Sequence, residues 1–115
     1  MQSSDNEGYL LDILECIEKI ERYLAGVNFS AFESNSEKID AVIRNVEVMG
    51  EAANNLTRGF RSANPQIEWR RIISTRNKLI HGYAGVDLEI IWSITQSDLP
   101  VLKAEIRKLL SDKSE

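Results

Sequence analysis

The chain has a single histidine, His81, and Arg76 stands five residues before it in the run Arg76-Asn77-Lys78-Leu79-Ile80-His81-Gly82-Tyr83. Imidazole has the unperturbed pKa nearest neutrality, so His81 is suited to take and return a proton. A guanidinium presents a planar fork of donors that matches phosphate oxygens. Together the two suit cleavage of RNA without a metal. His81 would take the proton of a ribose 2′-hydroxyl, or protonate the departing 5′-oxygen. Arg76 would hold the phosphate and stabilise charge building on its equatorial oxygens. Stabilisation of this kind is worth several kcal/mol of barrier, at about 10³-fold in rate per 4 kcal/mol. One imidazole cannot be acid and base at the same moment. A symmetric dimer meets that need by facing a pair of histidines across one phosphate. Each residue also has a structural use. An Arg at a core edge can extend its head to water, and a His at a helix end can bond the last carbonyls.

Charge is unevenly distributed. The 115 residues carry a formal −4, yet residues 58–78 hold Arg58, Arg61, Arg70, Arg71, Arg76 and Lys78 against Glu68 alone, a local +5. Such a patch is either a solvated face or a phosphate-attracting surface. Arg70, Arg71 and Lys78 are the candidates for guiding an RNA backbone. The acidic remainder keeps non-specific nucleic-acid affinity low.

One Cys (Cys16) excludes an intramolecular disulfide and any Cys-based metal site, and one His excludes a His cluster. Neither a metal nor a cofactor is expected. No apolar run approaches the roughly 20 residues that span a bilayer. The start, Met1-Gln2-Ser3-Ser4-Asp5, lacks a basic region followed by an apolar one. The expectation is one cytoplasmic domain over 1–115, with its core over about 9–110 and a frayed tail at 111–115.

The elements that must position the pair are helical. Leu10, Ile13, Leu14, Ile17, Ile20 and Leu24 recur at helical spacing, so a first helix is expected after Ser4-Asp5-Asn6 and up to Gly26. Val27 to Ser36 reads as a connector whose Phe29 and Phe32 tuck back onto the core. A second helix is predicted over Glu37–Arg58, stopped by Gly59, with Ile39, Val42, Ile43, Val46, Met49, Ala53 and Leu56 inward. Its small residues Gly50, Ala52 and Ala53 admit a close neighbour, within the chain or from a second copy. Asn64-Pro65 predicts the start of a third helix running to Ile80. Its inward stripe is Trp69, Ile72, Ile73, position 76, Leu79 and Ile80, so Arg76 breaks an otherwise apolar face. Such an Arg needs a partner or a cleft. Asp87 caps a fourth helix, and Asp98-Leu99-Pro100 either caps a fifth or kinks one continuous rod. The fold class is all-α, an antiparallel bundle of four to five helices. Cys16 reads as inert packing, and Trp69 and Trp92 as core. Glu51 orients Arg76 across helices, is a plain surface carboxylate, or faces a partner subunit.

Arg76-x-x-x-x-His81 resembles the R-x(4–6)-H motif of the HEPN superfamily of all-α ribonucleases. The longer run through Tyr83 resembles the R-N-x-x-x-H-x-Y of its HepT-like branch, the toxins of HepT/MntA (HEPN/MNT) systems, a type VII-like toxin–antitoxin class. Gly50-Glu51-Ala52, Trp69 and the stretch from Val86-Asp87-Leu88 through Trp92 to Asp98-Leu99-Pro100 also match the pattern. The resemblance covers about residues 9–110. It implies a dimeric, metal-independent endoribonuclease in which Arg76 and His81 are the catalytic pair and Asn77 supports them. It also implies a cognate MntA-type nucleotidyltransferase antitoxin that attaches AMP to Tyr83. A bulky anion two residues past His81 would obstruct and repel RNA. The competing interpretation is a non-catalytic module that binds a nucleotide phosphate through Arg76 and His81 and docks a nucleotidyltransferase.

Overall fold

A computed structural model of the chain describes residues 2–81 and 87–113, with side chains over 5–75 and 87–111. Among these residues the fold is all-α, without strands. The order is α1 (Gln2–Leu24), α2 (Phe29–Glu33), α3 (Ser36–Asn55), α4 (Arg58–Ala63), α5 (Trp69–His81), α6 (Leu88–Ser93), a π-helical turn (Ile94–Asp98) and α7 (Leu99–Lys113).

The two long helices α1 and α3 form the frame. The stripe of α1 is closed from water, with Leu10, Ile13 and Ile17 all at 0% exposure. Opposite it lie Val42, Val46, Met49 and Ala53 of α3. Each fully buried aliphatic side chain contributes about 1.5–3 kcal/mol. The pair is antiparallel and pinned at both ends. At one end Asn6 Nδ2 donates to Thr57 Oγ1 (3.2 Å) while Asn6 Oδ1 accepts from the Thr57 amide (3.1 Å). At the other, Lys38 Nζ donates to the Tyr23 carbonyl at 2.8 Å. α7 lies antiparallel on α1, with Lys103 bonded to Glu21 (2.7 Å) and Arg107 to Glu18 (3.2 Å).

Several boundaries differ from the sequence expectation. α1 begins before Asn6, which is an interior residue turned inward to Thr57 and not a cap. Gly26, at φ 75°, follows the helix end as expected of a residue that needs the left-handed region. The connector contains α2, capped by Asn28, whose Oδ1 accepts from the Ala31 amide at 2.9 Å. α3 stops at Asn55 because Leu56 and Thr57 turn extended (ψ 145° and 152°). Gly59, expected to end that helix, lies inside α4. Asn64-Pro65 does not open α5. Asn64 instead closes α4, donating to the Phe60 carbonyl (2.9 Å), while its own carbonyl accepts the Trp69 indole N–H (3.0 Å).

Asp87 caps α6 as expected, accepting from the Glu89 amide at 2.9 Å. The fourth and fifth helices form one rod. Ile94 and Leu99 keep helical dihedrals, and the Leu99 amide reaches back five residues to the Ile94 carbonyl. This wide turn shifts the hydrogen-bond ladder directly before Pro100, whose nitrogen cannot donate.

Cys16 is buried at 5% exposure. Burial pushes its thiol up from 9.0 to about 11. The unfolded thiol ionises first, so this contribution to stability is present below pH 9.0 and fades as pH rises through about 11. At pH 8 a chromogenic thiol reagent should leave the native protein unlabelled and react on addition of denaturant. Rapid native labelling would contradict the packing of α1.

Candidate functional site

α5 is the element that carries the candidate residues. Its described inward side chains are Trp69, buried at 6% exposure, and Ile72 and Ile73, half-buried against the core. The helix packs along α3, and Trp69 fixes its start through the Asn64 carbonyl and the Phe60 ring, 6.1 Å away. Helical periodicity then sets the remaining positions. Position 76 falls in the same helical register as 69, 72 and 73. Positions 70, 74, 77 and 81 share one flank, at spacings of four, three and four. Positions 68, 71 and 75 mark the opposite flank.

Arg76, Asn77, Lys78 and His81 therefore occupy the last turns of α5, with His81 as its final residue. The sequence had placed His81 at the helix exit; the helix runs one residue further. Between Arg76 and His81 the axis advances about 7.5 Å and turns about 140°. Tyr83 and the glycines Gly82 and Gly85 lie outside the described residues, as does any side-chain geometry of the pair.

The two flanks differ. On one, Arg71 is held by carboxylates: its guanidinium is 2.8 Å from Asp98 of the π turn and 3.9 Å from Glu68. It bridges a groove of about 230 Å³ between α3, α5 and α7, floored by Val46, Met49, Ile72 and Leu102. Glu68, Asp98 and Glu105 also line this groove, so its rim is acidic. On the other flank Arg70 is exposed. Asp98, which the sequence suggested as a helix cap, is the arginine's partner. Nothing in local spacing signals that pairing across 27 positions.

The remaining candidates fall where expected or are newly placed. Trp92 packs against Phe32 (5.4 Å) and Phe29 (6.0 Å), and Trp69 is buried, so both indoles belong to the core. Glu51 is exposed on α3, in a second groove with Asp12, Arg44 and Glu47. Among the described residues no three His, Cys, Asp or Glu gather as a metal site. No described helix is long and apolar enough to cross a membrane.

Residues 13–109 match the family described as Ribonuclease HepT-like. A protein of Thermococcus cleftensis named "Probable ribonuclease HepT" is 39% identical over 104 residues, covering 90% of this chain and 94% of that one. A candidate RNase of Methanocaldococcus jannaschii is 33% identical over 106 residues, covering 92% and 97%. A second candidate RNase of that organism is 37% identical over 112 residues, covering 97% and 93%. No solved structure matches significantly.

Proposed function

The chain belongs to the HepT-like ribonuclease family, and from that premise we propose that it is a metal-independent endoribonuclease, the cytoplasmic toxin of a HEPN-type toxin–antitoxin pair. The observation that carries this reading is the family match over residues 13–109, which takes in all of α5 and with it Arg76-Asn77-Lys78-Leu79-Ile80-His81. His81 moves the proton between the 2′-hydroxyl and the departing 5′-oxygen. Arg76 binds the phosphate, Asn77 supports the pair, and Arg70 and Lys78 attract the backbone, whereas Arg71 is held by Asp98. The 2′-oxygen attacks phosphorus as the bond to the 5′-oxygen breaks, leaving a 2′,3′-cyclic phosphate and a free 5′-hydroxyl. Because Arg76 and His81 stand about 140° apart on one helix, two copies forming one cleft supply a facing pair. Incubation with total RNA tests the reading: shorter fragments support it. Nucleotide binding without cleavage would instead mark a docking module.

The reading extends to control. A cognate MntA-type nucleotidyltransferase silences the toxin by placing AMP on Tyr83, adding negative charge beside a site built for phosphate. With that enzyme and ATP, the intact mass of the wild type should rise by whole AMP units while RNA cleavage disappears. Tyr83→Phe should gain no mass and escape silencing. Silencing of Tyr83→Phe to the wild-type extent would contradict this role.

A further inference from the structure

The last turns of α5 hold the reacting pair; its first turn lies beside cations remote from the scissile bond. Arg70 is exposed there. α4 is fastened to the same end by the Phe60–Trp69 ring contact and by Asn64, and it brings Arg58 and Arg61. No acidic residue occurs from Arg58 to Ile67. Arg71, by contrast, is paired with Asp98, as Lys103 is with Glu21 and Arg107 with Glu18. Among the described residues, no carboxylate pairs with Arg58, Arg61 or Arg70. The buried Nε of Arg61 has no hydrogen-bond partner there either.

Position 70 lies on the flank that also carries positions 74, 77 and 81, whereas the opposite flank has the acidic rim of Glu68, Asp98 and Glu105. An anionic strand is attracted to the first flank and repelled by the second. From 70 to 81 the helix rises about 16 Å. That length spans a few nucleotides of a single strand.

Resting on the ribonuclease reading, we propose that Arg58, Arg61 and Arg70 form a phosphate rest at the α4–α5 end, remote from His81, for the single-stranded RNA substrate. The strand lies along one flank of α5, and the enzyme engages several nucleotides rather than the scissile bond alone. Arg71, tied to Asp98, is not part of this rest.

The test is binding of fluorescein-labelled 2′-O-methyl RNA, which has no free 2′-hydroxyl to react. Oligomers of about two and about ten nucleotides bracket the proposed track. The full-length wild type should bind the longer one at least 10-fold more tightly. R58Q/R61Q/R70Q should lose about 10-fold for the longer oligomer. Its log Kd against log salt slope should fall by about 2, from three phosphate contacts at about 0.7 each. R58Q/R70Q, which leaves half-buried Arg61 intact, guards against a folding defect and should show about two-thirds of that slope change. K19Q/R22Q/K108Q, removing equal charge from α1 and α7, should keep the wild-type slope. An equal slope loss in that control, or an unchanged length preference in R58Q/R61Q/R70Q, would overturn the phosphate rest. Cleavage of unmodified RNA by the wild type is scored in parallel. If the wild type cuts RNA and only the length preference fails, the rest alone is wrong. If it neither binds nor cuts RNA, the ribonuclease reading falls with it.

Discussion

His81→Ala should cleave RNA about 10³-fold or more slowly than wild type while melting at the same temperature. General acid–base catalysis contributes about 10² to 10⁴ in rate, and this chain has no second histidine to substitute. Arg76→Ala should cost about 10² to 10³, the usual penalty for removing one donor aimed at developing charge. The two losses should not multiply, because each residue acts on the same phosphate at the same moment. Rates are compared at saturating RNA, so that weakened binding is not mistaken for slower chemistry. The wild-type rate should also follow a pH profile that His81→Ala lacks. A His81→Ala protein with more than a tenth of wild-type kcat would contradict the assignment.

Phe32→Ala should destabilise the fold by about 3–5 kcal/mol, the range for a buried aromatic cut to alanine. Phe32 is at 0% exposure although its helix, α2, has only five residues. Its ring stacks at a tilt on Trp92 of α6, 5.4 Å away. The side chain thus ties the α1–α3 connector to the C-terminal rod. Phe29, which meets the same indole edge-on at 6.0 Å but is only partly buried, should cost less when cut to alanine. Urea denaturation of both variants measures the difference. A loss on the order of the whole stability of a small domain, about 5–15 kcal/mol, would leave the Phe32 variant partly unfolded. A Phe32→Ala loss below about 1 kcal/mol would show that α2 is not part of the core.

The long elements were legible because they repeat. Leu10, Ile13, Ile17, Ile20 and Leu24 mark one side of α1 over four turns, and all are buried. α2 and α4 were not legible, since five and six residues are too few to show a period. Their caps were the available signals: Asn28 before α2 and Thr57 before α4, each accepting from the amide three residues on. Asn64-Pro65 misled for a physical reason. It has the form of a helix start, but the Trp69 indole and the Phe60 carbonyl claim Asn64 for a different turn. At the candidate site, local spacing placed Arg76, Asn77 and Lys78 on one helix, as found, and put His81 at its exit, where the helix runs one residue further. The same spacing ranked Arg70 and Arg71 alike. Only the fold separates them, by bringing Asp98 to Arg71.

The most direct measurement is end analysis of RNA treated with purified protein, its Tyr83 shown unmodified by intact mass, in excess EDTA. The account predicts fragments ending in 2′,3′-cyclic phosphate with 5′-hydroxyl partners, at an undiminished rate. Cleavage that stops in EDTA, or fragments bearing 5′-phosphate and 3′-hydroxyl ends, would contradict it.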